Sequence, residues 1–106
     1  MTMQTARFDV KPDCVAQFED AVTRIVEALK QTSPDGVRYT VCRSETGTIF
    51  MGILRLDAGI ANPLPALPEG QAFLEGLGTW LTSPPERAQW SLLSEFNAPT
   101  KAGGNR

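Results

Sequence analysis

Tyr39 is the single tyrosine of the chain and alternates with Val37 and Val41 as a strand residue would. A buried phenol needs a partner, so Tyr39 could serve as an acid or as a hydrogen-bond donor to a substrate oxygen. The structural alternative is a core tyrosine with its hydroxyl at the rim. Arg38, Arg43 and Arg55 sit on the same stretch of alternating residues. Any of them turned into a pocket would stabilise an enolate or phenolate, whereas ion pairing on a surface or interface is the commoner fate of an arginine. Trp80 falls on an apolar helical face. There it could wall an aromatic pocket and donate its indole N–H to a carbonyl or phenolate, or simply fill the core. Trp90 carries the same two readings. Cys14 opens a helix, where free N–H groups can lower a thiol pKa; the alternative is a plain surface residue. Asp9 and Glu95, on outer strands, are a weak candidate carboxylate pair.

What is missing constrains the chemistry more firmly. The chain has no histidine, which removes the commonest general base, metal ligand and haem ligand. A Cys–His nucleophile is thereby excluded. The two cysteines, Cys14 and Cys42, lie far apart without C-x-x-C spacing and are expected to be free thiols. Neither a metal nor another cofactor is expected. Net charge is −2 with no run of Lys or Arg, which disfavours a phosphate-tracking nucleic-acid surface. No apolar run approaches a membrane span, and the N-terminus lacks the basic and apolar regions of a secretory signal. Cytoplasm is the expected compartment.

At 106 residues the chain is expected to be a single domain, with its core over about 5–98 and a flexible tail over 99–106. Its hydrophobic period predicts strand, helix, strand, strand, helix, strand. Thr5 to Val10 alternate, placing Ala6, Phe8 and Val10 on one face. Pro12-Asp13 stop this strand, with Asp13 placed to cap the next helix. Val15, Phe18, Val22, Ile25, Val26 and Leu29 then form one apolar stripe, closed by Ser33-Pro34-Asp35-Gly36. Val37 to Arg43 and Thr48 to Leu56 flank Ser44-Glu45-Thr46-Gly47 and read as a hairpin.

Both faces of the third strand are apolar, with Ile49, Met51 and Ile53 on one side and Phe50, Leu54 and Leu56 on the other. Helices on one side of a sheet leave the second side wet, and the chain has no spare element to cover it. A second subunit is the simplest cover. A Pro/Gly/Ala-rich loop over 57–68 has the length of a lid or binding loop; alternatively Leu64 and Leu67 plug the end of the core. A second helix is expected over about Glu69 to Thr82, with Phe73, Leu74, Leu77, Trp80 and Leu81 on one face. Gly70, Gly76 and Gly78 weaken it by about 1 kcal/mol each relative to alanine. The last strand is expected where Trp90, Leu92, Ser94 and Phe96 alternate, with a possible helical start over Pro85 to Gln89.

This order, βαββαβ, is the ferredoxin-like α+β arrangement, an antiparallel sheet with two helices on one face. With the doubly apolar third strand and Trp80-Leu81-Thr82-Ser83 ending the second helix, the chain resembles the antibiotic-biosynthesis-monooxygenase type of domain. That family lies within the dimeric α/β-barrel superfamily. The resemblance spans about Thr5 to Ala98. It implies a homodimer whose two sheets face each other as a barrel, with a pocket in each subunit between its own sheet and helices. It does not extend to haem degradation: the ligand histidine of those members falls at Trp90, and their first-strand asparagine is absent from Thr5-Ala6-Arg7-Phe8-Asp9. Cofactor-free quinone-forming members use tryptophan, asparagine, tyrosine and arginine around an aromatic substrate. Trp80, Asn62, Tyr39 and Arg55 supply those types, although the family's short Asn-to-Trp spacing is not reproduced.

The resulting expectation is a cofactor-independent monooxygenase acting on an aromatic, polyketide-like molecule. Trp80 and Asn62 would position the substrate, and Tyr39 and Arg55 would polarise its oxygen. The alternative is a dimeric module that binds a small hydrophobic ligand, or has a structural role, without catalysis.

Overall fold

The computed structural model describes residues 1–99; of the expected tail, residues 100–106 lie outside the described residues. Four strands, β1 (Thr2–Asp9), β2 (Val37–Arg43), β3 (Ile49–Leu56) and β4 (Glu86–Ser91), form one sheet in the order β2-β3-β1-β4. All three pairings are antiparallel. Helices α1 (Val15–Thr32) and α2 (Pro68–Trp80) occupy the two connections. This is the ferredoxin-like α+β fold that the hydrophobic period predicts.

Alternation along the strands sorts residues between the faces. On β3, Phe50, Gly52, Leu54 and Leu56 are buried beneath the helices, while Ile49, Met51, Ile53 and Arg55 are half-exposed on the opposite face. The core is built on phenylalanine. Phe18 on α1 is fully buried, with ring centroids 4.7 Å from Phe50 and 5.4 Å from both Phe8 and Phe73. Phe8 and Phe73 meet edge to face at 5.5 Å, the geometry that ring quadrupoles favour. Val10, Ile25, Leu77 and Leu81 extend this cluster.

Three local expectations are corrected. Asp13 caps nothing: Pro12–Cys14 form a 3-10 turn running into α1, and Cys14 holds the N-cap position without a side-chain hydrogen bond. Leu74 is 46% exposed rather than in the buried face of α2. The last strand is Glu86–Ser91, not the 90–96 alternation. The cause is pairing: Thr2 opposite Ser91 is the final β1–β4 pair, so residues beyond Ser91 have no strand to bond. They emerge as an exposed segment in which Leu93 is 97% and Phe96 90% exposed.

α1 ends as its sequence suggests, with Ser33 in the left-handed region (φ 46°) and its N–H donating to the Leu29 carbonyl. No helix among the described residues is long and apolar enough to cross a membrane.

Candidate functional site

The register defines a cavity floor from two rows of residues. One helix-facing row crosses the sheet as Val41, Gly52, Ala6 and Arg87, and the next as Tyr39, Leu54, Gln4 and Gln89. Gly52 and Ala6 put almost no side-chain volume at the centre of the sheet, between the Phe8 ring edge and the Tyr39 hydroxyl. A cavity of about 650 Å³ results, in the size range of small-molecule sites. Its roof comes from Ile25 of α1, Gly70, Phe73 and Leu74 of α2, and Asn62, Leu64 and Pro65 of the connecting loop. Within the 57–68 loop, Leu64 packs on the core and also lines the cavity, while Leu67 belongs to neither set.

Loop and helix are held at this point by specific contacts. Leu64 N–H donates to Asn62 Oδ1 at 2.9 Å, a local turn closed by a side chain. Gln71 Nε2 donates to the Pro65 carbonyl at 3.0 Å. Gly70 is required here because a Cβ would collide with the Leu64 carbonyl. The 3-10 turn Leu64–Ala66 therefore seats directly on the first turn of α2.

Polar groups in the cavity are few. Tyr39 is half-buried, and its hydroxyl has no hydrogen-bond partner among the described residues. Burial pushes its phenol above the ordinary value of 10.0, and the nearby Arg87 guanidinium opposes that rise. Tyr39 is therefore a protonated donor at neutral pH. Arg87 makes no ion pair among the described residues, unlike Arg7, Arg24, Arg43 and Arg55, which bond Glu86, Asp20, Glu19 and Glu95. Gln4, Gln89, Asn62 and Thr5, whose hydroxyl accepts from the Trp90 indole, complete the polar set. Neither a carboxylate nor a thiol lines the cavity.

Of the four residues singled out by sequence, the fold brings Tyr39 and Asn62 to this cavity and places the other two elsewhere. Arg55 points from the opposite face of the sheet, across from Met3 and Arg38, and lies 3.8 Å from Glu95. Trp80 covers Gly76 and packs edge-on against Phe18, at 6.3 Å between centroids. It walls a separate shallow groove with Asp20 and Arg24. Arg38 is on Arg55's face, and Arg43 bonds Glu19 at 2.8 Å. Asp9 and Glu95 are at opposite ends of the sheet, since Asp9 pairs with Ile49 whereas Glu95 lies by Arg55. Trp90 is on the open face, its indole N–H donating to Thr5 Oγ1 at 2.8 Å.

Arg87, Gln4 and Gln89 escaped the sequence reading. The missing signals were strand boundaries: β1 begins at Thr2 rather than Thr5, which brings Gln4 into the sheet, and β4 begins at Glu86, so alternation turns Arg87 and Gln89 toward the helices. Both cysteines are free, and the described residues contain no group of three His, Cys, Asp or Glu able to hold a metal.

The fold defines the class first. Rv0793 from Mycobacterium tuberculosis superposes with a TM-score of 0.74 at 20% identity, covering 91% of this chain and 98% of that one. PA3566 from Pseudomonas aeruginosa gives 0.72 at 14%, covering 88% and 94%. A crystal structure of an antibiotic biosynthesis monooxygenase gives 0.70 at 12%, covering 89% and 100%. At these identities the likeness is one of fold. Residues 1–51 also match the family model for antibiotic biosynthesis monooxygenase (ABM). Residues 1–51 are thus ABM-like, and the described residues carry the ferredoxin-like fold of these structures. No curated protein matches its sequence significantly.

Proposed function

We propose that this domain binds an aromatic small molecule bearing an ionised oxygen and oxygenates it with O₂ and no cofactor, as a homodimer. The observation that carries this reading is the polar pair in the cavity. An unpartnered phenol donor and an unpaired guanidinium share a cavity whose remaining lining is mostly apolar, with Gln4, Thr5, Asn62 and Gln89 its other polar residues. Such groups stabilise negative charge on oxygen, and they do so more strongly in an apolar, partly enclosed site than in water. Because the cavity offers no carboxylate, histidine or thiol to remove a proton, the substrate must ionise on its own. That selects acidic phenols or enolisable ketones held as anions by Arg87, with Tyr39 donating to the same oxygen.

The electrons balance without an external reductant. For an anthrone-type substrate, the CH₂ carbon opposite the carbonyl gains one oxygen atom from O₂ and becomes a second carbonyl. Its two hydrogens leave with the other oxygen atom as water, and the substrate supplies all four electrons. The absence of a proton acceptor also supports the second reading, a binding module that holds such anions without turning them over.

Assembly is supported by the open sheet face, where Ile49, Met51 and Ile53 are half-exposed, beside Trp90 at 52% exposure. A face of this character is covered in a stable protein. Light scattering on the purified chain is expected to give a dimer, and Ile53→Glu to give a monomer; a wild-type monomer at micromolar concentration overturns the assembly.

Activity is tested with anthrone in air, following O₂ uptake and anthraquinone formation. The wild-type rate should exceed the buffer rate, and Arg87→Leu should lower it at least tenfold, as expected for losing a charged hydrogen bond worth about 2 kcal/mol. Saturable binding with no O₂ uptake would select the non-catalytic reading.

A further inference from the structure

Glycine inside a strand weakens it, and it usually marks a bulge, a bend or a close backbone approach. Gly52 shows none of the usual structural needs. It lies in the middle of β3, paired in unbroken register with Ala6 on one side and Val41 on the other. It is not among the positive-φ glycines, which are Gly36, Gly47 and Gly59. A Cβ built on it would meet Phe8 Cε2 and Tyr39 Oη at 3.5 Å, ordinary van der Waals distances. Neither backbone conformation nor neighbouring atoms therefore demand a glycine. What a side chain would occupy is the cavity, at the point between the Phe8 ring edge and the Tyr39 hydroxyl.

We propose that Gly52, with Ala6 beside it, is the size-determining position of the cavity: the bare floor on which the flat fused rings of an aromatic ligand lie. The ligand's oxygen then lies between Tyr39 and Arg87, whose side chains reach in from the two edge strands β2 and β4. This inference rests on the reading that the cavity takes an aromatic ligand. A single ring can sit to one side of position 52, but two or three fused rings must cross it. Substitution there discriminates by ring count, which a general loss of stability does not.

The test is titration of wild type, Gly52→Ala and Gly52→Val with phenol, 2-naphthol and 2-hydroxyanthraquinone, alongside thermal melting. Gly78→Ala is the control, since a Cβ at that helical position meets nothing within 4 Å. Gly52→Ala should melt at or above the wild-type temperature while binding the two larger probes more weakly. Gly52→Val should lower affinity for those probes at least tenfold, and Gly52→Ala should leave phenol within threefold. Gly78→Ala should leave all three affinities unchanged. If wild type binds the larger probes and both Gly52 variants bind them equally well, or lose all three probes in parallel, the role of Gly52 is overturned while the cavity reading stands. If wild type binds no member of the series, the cavity is not an aromatic site and both readings fall.

Discussion

Between the helices and the sheet of this protein, one row of side chains reads Arg43, Phe50 and Phe8, and the next reads Val41, Gly52, Ala6 and Arg87. The first row meets Phe18 and Phe73 from the helices, with ring centroids 4.7 to 5.5 Å apart. The second meets the same two helices across a cavity of about 650 Å³. Strand spacing, helix positions and register are common to both, so backbone geometry cannot be what separates a packed core from a binding site here. Side-chain volume at two central positions does it. Interiors are otherwise close-packed, and this partly open cavity lies where small residues meet on adjacent strands. Chemistry follows the same division, because the polar groups without protein partners are at the hollow end.

The comparison is broken most directly at the packed end. Phe18→Ala should destabilise the domain by about 3–5 kcal/mol, the range for deleting a buried phenylalanine, measured by urea unfolding. A loss below about 1 kcal/mol would mean that the aromatic cluster is not the anchor of the fold. At the hollow end, Tyr39→Phe should leave neutral-pH stability within about 1 kcal/mol, because the hydroxyl it removes has no protein partner to lose.

That variant also sharpens the electrostatics. The folded phenol titrates above its unfolded value, so its contribution is fully present below the unfolded value of about 10 and lost as pH rises through the folded one. Wild type should lose stability above pH ~10 with a component that Tyr39→Phe lacks, read from melting temperatures across that range; equal slopes would place Tyr39 in water. The smallest effect belongs outside both regions. Arg24→Ala removes an exposed pair to Asp20, 2.9 Å long and four residues away on α1, and should cost less than about 0.5 kcal/mol.

Local pattern made much of this legible. The stripe from Val15 to Leu29 specifies α1 because each apolar residue recurs on one helical face, whatever lies elsewhere in the chain. The hairpin around Gly47 is equally local, and Gly47 takes the positive φ of 85° that such a loop requires. The doubly apolar β3 needs only a period of two to be recognised. β4 was different. Its residues alternate weakly, and what fixes its start and end is pairing with Thr2 to Arg7 at the other end of the chain. With that boundary misplaced, Arg87 had no face and could not be recognised as a cavity residue. Arg55, by contrast, had the right charge on a correctly placed strand, but on the side away from the helices.

The sequence by itself determined the order and type of the elements, the two-faced third strand and the absence of a histidine base, because these depend on residue type and on spacing within a few turns. Only the tertiary structure decided that Tyr39, Asn62 and Arg87 share one cavity while Arg55 and Trp80 do not. Register pairs residues distant in sequence, and a single step along a strand moves a side chain from one face of the sheet to the other.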